Sequence, residues 1–229
     1  MEYQIKGEPL PVVICTLAPG ESVVCESGAM SWMSPNMQME TKSKGGIGGF
    51  FGRALSGESG FQNIYTARGG SGLIAFASSY VGNILAVEIT PEKPVIIQKR
   101  AFLACTPDVD MEVFFQKKIG TALFGGEGFI MQKLSGSGIV FLEMDGSVVN
   151  YNLKAGEQML ISTGHLAMMD ATVTMDIQQI KGAKNILFGG ESLFNTVVVG
   201  PGVITLQSMP LSNLVGLIAS RLPATSTNK

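Results

Sequence analysis

The sequence predicts an all-β chain of three tandem repeats, each a small antiparallel β-sandwich, followed by a short C-terminal helix. Three observations lead there. Leu17-Ala-Pro-Gly20-Glu21 running on to Ser27-Gly28-Ala29-Met30-Ser-Trp-Met33 returns as Leu153-Lys-Ala-Gly156-Glu157 running on to Thr163-Gly164-His165-Leu166-Ala-Met-Met169, every matched pair 136 residues apart. A second marker follows the first in constant order: Gly57-Glu58 before Gly70-Ser-Gly72, Gly126-Glu127 before Gly136-Ser-Gly138, and Gly190-Glu191 before Gly200-Pro-Gly202, with its glutamates 69 and 64 residues apart. Between the markers lie short segments rich in Val, Ile, Leu and Phe and punctuated by Gly, Pro, Asn and Asp, the composition of strands and tight turns.

The first unit spans about residues 1–83 and carries the clearest copy of the first marker. At its end, the uncharged run from Gly69 to Val87 reads as two buried strands around a Gly82-Asn83 turn. The second unit, about 84–148, is a weaker copy in which Ile89, Pro91, Val95, Ala101 and Phe102 fall 72 residues after Leu17, Pro19, Val23, Ala29 and Met30, without the glycines. Asp145-Gly146, between two apolar runs, is the strongest hairpin signal in the chain. The third unit, about 149–211, leads into Ser212–Leu222, a short helix with Ser212 as its N-cap and Pro223 beyond its end. All 229 residues are thus expected to form one domain.

Composition bounds the function. Charged residues make up 15% of the chain, against an average of about 25%, so extensive surface must be hidden, and a homo-oligomer is expected. A formal net charge of −2 supplies no basic field for nucleic acid, which is not an expected partner. Cys15, Cys25 and Cys105 are odd in number and form no C-x-x-C pair; they read as small buried hydrophobes in a reducing compartment. The opening MEYQIKGEPL has no basic-then-apolar pattern, so a cytoplasmic location is expected. The uncharged run from Ser192 to Ser220 is cut by Gly200-Pro-Gly202 and Pro210 and is not a spanning helix.

No group of residues converges on a reaction. His165, the one histidine, is the repeat-equivalent of Ala29 and has no ligand-type neighbour, which argues against zinc and against Ser-His-Asp or Cys-His chemistry. Asp108, Asp110 and Glu112 alternate with Val109, Met111 and Val113 as on a half-exposed strand, and a calcium site is not expected. Gly120 to Gly125 lacks the Lys-Ser/Thr of a phosphate loop, and Gly45 to Gly49 opens no βαβ unit. The methionines around Met30–Met39 and Met168–Met175 read as core filler. Gly20, Glu21, Gly156, Glu157 and the second-marker pairs Gly57-Glu58, Gly126-Glu127 and Gly190-Glu191 read as structural turns. No catalytic residue, metal or cofactor is assigned, and the chain is not expected to be an enzyme.

Basic pairs precede the second marker in each unit: Lys42 and Lys44, Lys117 and Lys118, Lys181 and Lys184. The gap to the glutamate is 10 residues in the second and third units and 16 in the first, where a Gly/Phe-rich insert holds Phe50, Phe51 and Arg53. Exposed Phe beside Lys and Arg suits a membrane surface or a protein partner; folded inward, the same rings would plug the unit.

In Gly20-Glu21, Glu26-Ser-Gly-Ala-Met30, the run Gly45–Gly52 and Gly125-Gly126-Glu127-Gly128-Phe129, the chain resembles the altered-inheritance-of-mitochondria family, a mitochondrial-biogenesis family of unknown function. The resemblance covers nearly the whole chain. It implies three repeats of a fold like the tryptophan RNA-binding attenuator protein, related to the double-stranded β-helix, assembled as a homotrimer with no catalytic residues. The resulting expectation is a non-enzymatic homo-oligomeric interaction or scaffold protein, acting at a membrane surface or on a protein partner through the first-unit insert. The alternative is a module for a small anionic ligand or RNA that uses the repeat-equivalent lysines.

Overall fold

The structure is a computed structural model and describes residues 1–43, 61–117, 128–179, 194–219 and 221. After a leading strand β1 (Glu2–Lys6), the first unit contributes β2 (Val12–Leu17), β3 (Ser22–Glu26), β4 (Trp32–Met33), β5 (Met37–Ser43), β6 (Phe61–Ala67) and β7 (Gly72–Ala77). The second region holds β8 (Gly82–Ile89), β9 (Val95–Gln98), β10 (Phe102–Cys105), β11 (Val109–Lys117), β12 (Phe129–Gly136) and β13 (Gly138–Asp145). The third holds β14 (Val148–Leu153), β15 (Gln158–Ser162), β16 (Leu166–Asp170), β17 (Thr174–Gln179), β18 (Phe194–Val199) and β19 (Gly202–Gln207), before helix α1 (Leu211–Ala219). The chain is mostly β, as the strand-like segments predicted.

The pairings recur in order, all antiparallel. β2–β7, β8–β13 and β14–β19 form one series, and β3–β6, β9–β12 and β15–β18 a second. β4–β7, β10–β13 and β16–β19 form a third, and β5–β6, β11–β12 and β17–β18 a fourth. Adjacent regions join through two further ladders: β10 pairs with β3, placing Ala104 opposite Cys25 and Cys105 opposite Val24, and β16 pairs with β9, placing Met168 opposite Ile97 and Met169 opposite Ile96. The result is two six-stranded sheets, β5-β6-β3-β10-β13-β8 and β11-β12-β9-β16-β19-β14, flanked by the smaller sheets β1-β2-β7-β4 and β15-β18-β17.

The core follows these junctions. One buried cluster joins Cys15, Cys25 and Phe76 to Ala104 and Phe141 from the next region. A second joins Val24 to Ile97, Leu142 and Ala167, and a third packs Ile96, Phe129 and Met131 against Leu166 and Ile204. The apolar run of each junction strand is therefore enclosed by two units at once, which a single unit could not provide.

Three local expectations need correction. Asp145-Gly146 does not close a hairpin: β13 pairs with β8 and β10, while β14 pairs with β19 in the other large sheet. Gly146 does adopt φ +76°, but the turn carries the chain from one sheet to the next, because turn chemistry sets backbone angles and not strand partners. Gly82-Asn83 likewise begins β8, with the turn just before it. Ser212 is not the N-cap of α1, since the backbone N–H of Leu211 donates instead to Asp145 Oδ2 at 2.8 Å, a cap supplied from far along the chain.

Candidate functional site

The Gly-Glu markers at Gly20 and Gly156 are turns of one construction. Gly20 has φ +85° and Gly156 φ +76°, angles at which an L side chain is strained. The following glutamate reaches back over its own turn: Glu21 Oε2 accepts from Ala18 N at 2.7 Å, and Glu157 Oε2 from Lys154 N at 2.8 Å. These residues shape turns.

Other candidates are also held structurally. His165 Nδ1 lies 2.8 Å from the Gln207 carbonyl oxygen, to which it donates, and its Nε2 lies 3.4 Å from Asn213 Nδ2 on α1. Cys15, Cys25 and Cys105 are buried reduced thiols, and burial pushes Cys15 and Cys25 up to about 12, far from a reactive thiolate. Asp110 and Glu112 point outward on β11, and Glu112 pairs with Lys133 across the ladder at 3.6 Å. Among the described residues no three His, Cys, Asp or Glu side chains gather as a metal site. Of the methionines, Met37 and Met169 are buried, whereas Met33 and Met39 are exposed, so the core-filler expectation holds only in part.

Of the lysines, Lys117 donates to the Ile177 carbonyl at 2.7 Å and ties β11 to β17. Lys42 lies on β5. Lys44, Phe50, Phe51, Arg53, Lys118, Lys181 and Lys184 lie outside the described residues, as do Gly57, Glu58, Gly126, Glu127, Gly190 and Glu191.

A three-unit array is expected to leave two outer sheet edges, and sequence reasoning missed only which strands form them. In both large sheets the second and third strands of a unit are interior: β3 and β9 each lie against the third strand of the following unit, β10 or β16. Among the described residues their counterparts at the ends of the array, β4 and β15, have no such neighbour. The exposure follows: all of β9 and β10 is buried, but Trp32 and Met33 on β4 are 48% and 37% exposed, and Leu160 on β15 is 61% exposed. Met33 stands where Met169 is wholly buried, as their shared partners show, Met33 facing Ile74 and Met169 facing Ile204. An unpaired apolar edge of this kind is a template for another strand. No signal in the sequence marks it, since Trp32-Met33 reads like any other apolar pair.

A second missed feature is a polar clasp between successive units. Glu143, near the end of β13, accepts from Ser79 N through Oε2 at 2.7 Å. Gln207, at the matching position on β19, accepts from Asp145 N through Oε1 at 3.0 Å. Both side chains are buried, and burial raises the Glu143 carboxyl above the ordinary glutamate range, opposed by its Ser79 hydrogen bond.

Comparison with known proteins agrees with the resemblance read from the markers. The model of the mitochondrial biogenesis AIM24 family matches residues 3–209. An uncharacterised protein of Streptococcus pyogenes serotype M6 is 32% identical over 225 residues, covering 94% of this chain and 88% of that protein. An X-ray crystal structure of a Streptococcus pyogenes protein superposes with a TM-score of 0.79 at 27% identity, covering 96% of this chain and 99% of the other. With the family model spanning nearly the whole length, the chain belongs to the mitochondrial biogenesis AIM24 family.

Proposed function

We propose that the protein is a non-enzymatic scaffold made of three copies of a six-stranded unit, β2–β7, β8–β13 and β14–β19, that closes head to tail into a homotrimeric ring by pairing β4 of one chain with β15 of the next. The carrying observation is the pair of incomplete sheets. β17-β18-β15 matches one half of each large sheet and β4-β7-β2 the other half, so joining them yields a third sheet of the same order. The offsets that relate the two internal junctions put Met33 opposite Leu160 of the next chain and Trp32 opposite its Ile161. A head-to-tail contact closes into a ring where the rotation per chain allows it, and the family resemblance favours three chains.

The absence of a reaction is supported by the engagement of His165 and by thiols held protonated. Lys117 is held by a carbonyl, which weighs against the lysine-based anion or RNA site. No described helix is long and apolar enough to cross a membrane. In this reading the scaffold is cytoplasmic and meets a membrane surface or protein partner through the first-unit insert.

Disulfide trapping tests the register. Residues directly opposite on antiparallel strands have Cα atoms about 4.5–5.5 Å apart, within reach of a disulfide. On denaturing, non-reducing electrophoresis after mild oxidation, the Met33→Cys/Leu160→Cys double variant is expected to run as a covalently linked trimer, and either single variant as a single chain. A folded double variant that forms no intermolecular bond contradicts the pairing.

A further inference from the structure

An open groove of about 680 Å³ runs along the rim that carries the turns before β4 and β10, bounded at one end by the first turn of α1. Glu143, Asp145, Lys99, Arg100 and Tyr80 line it. Glu143 is 8% exposed and is hydrogen-bonded by the Ser79 N–H and the Ser78 side chain, and accepting a backbone N–H is a task that Gln207 performs with a neutral amide. A carboxylate is therefore not needed there for the fold, and burying one is unfavourable. What distinguishes it from an amide is the face it shows the groove: a carboxylate only accepts hydrogen bonds, whereas an amide also donates.

Asp145 adds a second acceptor-only group two residues along the same strand, with one oxygen engaged by the Leu211 N–H. Lys99 and Arg100 contribute donor-only groups, and Arg100 lies close enough to both carboxylates to favour their ionised forms. Acidic Glu26, Glu143 and Asp145 and basic Lys99 and Arg100 share the lining, so neither sign of charge dominates it. Hydroxyl groups suit both, since each donates and accepts. Tyr80 offers an aromatic surface beside them.

We propose that this groove binds a neutral polyhydroxylated ligand, a saccharide, with Glu143 accepting from its hydroxyls and Arg100 donating to them. The inference uses groups within one chain and does not depend on ring closure.

Calorimetric titration of the full-length protein with maltotriose, N,N′,N″-triacetylchitotriose and myo-inositol tests it, with spermidine and glycine as charged comparators. At least one neutral probe is expected to saturate with Kd at or below about 1 mM, and neither comparator to do so. Glu143→Gln is expected to weaken that probe about tenfold or more while the melting temperature stays level or rises, because the Ser79 hydrogen bond is retained. Arg100→Ala, at an exposed position, should weaken it similarly. The assignment is overturned if no neutral probe saturates by about 10 mM, if a comparator binds in their place, or if Glu143→Gln binds as tightly as the parent.

Discussion

The junctions inside the chain and the two edges at its ends are built from equivalent strands, yet they differ in what covers them. Ile96 on β9 faces Met169 on β16 and is wholly buried, whereas Leu160, its counterpart on β15, is 61% exposed. The backbone and the apolar chemistry are shared, so the exposure of Leu160 comes from a missing neighbour and not from a different kind of strand. A repeat array leaves this mark at both ends, because every unit is shaped to be covered on two sides.

That comparison breaks most sharply under a buried charge. Ile96→Lys places an ammonium in a closed junction and is expected to cost several kcal/mol, enough to abolish cooperative thermal unfolding followed by circular dichroism. Leu160→Lys puts the same group at the open edge. The chain should keep its β spectrum while its sedimentation coefficient falls to that of a monomer, and loss of fold equal to that of Ile96→Lys would show that the two sites do not differ as argued.

Smaller effects sharpen the equivalence of the units. Gly20 and Gly156 both have positive φ, and a Cβ at either would meet nothing within 4 Å, so substitution brings backbone strain alone. Gly20→Ala and Gly156→Ala should each lower stability by about 1 kcal/mol, or about 2–4 °C in melting temperature, and by similar amounts. Markedly unequal losses would separate the two turns.

The smallest expected effect concerns Glu143 and Gln207. Burial raises the Glu143 carboxyl in the folded chain above its ordinary value near 4.5. Between those two values the unfolded chain releases its proton first, so stability falls as pH rises through the window and stays lower above it. Asp145, also raised by burial, acts in the same direction and remains in the variant. Glu143→Gln should therefore flatten, without abolishing, the decline seen in urea titrations across that range, and be more stable than the parent at neutral pH. An unchanged slope would mean that Glu143 is not desolvated.

Much of this architecture was legible in the residues, and the failures have physical causes. The 136-residue offset between the Gly20-Glu21 and Gly156-Glu157 turns could be read directly, because positive φ restricts those positions to glycine. Asp145-Gly146 misled because a hairpin signal describes local angles, while β13 and β14 find their partners far away in sequence. That a three-unit array leaves two open edges follows from the repeats, but that Trp32 and Leu160 lie on them was illegible, because their exposure depends on which strand is absent beside them. The clasp was hidden as well: Glu143 and Gln207 each offer a side-chain oxygen but Ala77 offers none, and only the register of β7, β13 and β19 makes the three equivalent.

The central claim is that the two incomplete sheets complete each other between chains. Light scattering coupled to size-exclusion chromatography at micromolar concentration tests it most directly. Ring closure predicts a single monodisperse species at three times the 24.2 kDa chain mass, reduced to one chain by Leu160→Lys. A parent protein that elutes as a stable monomer would contradict it.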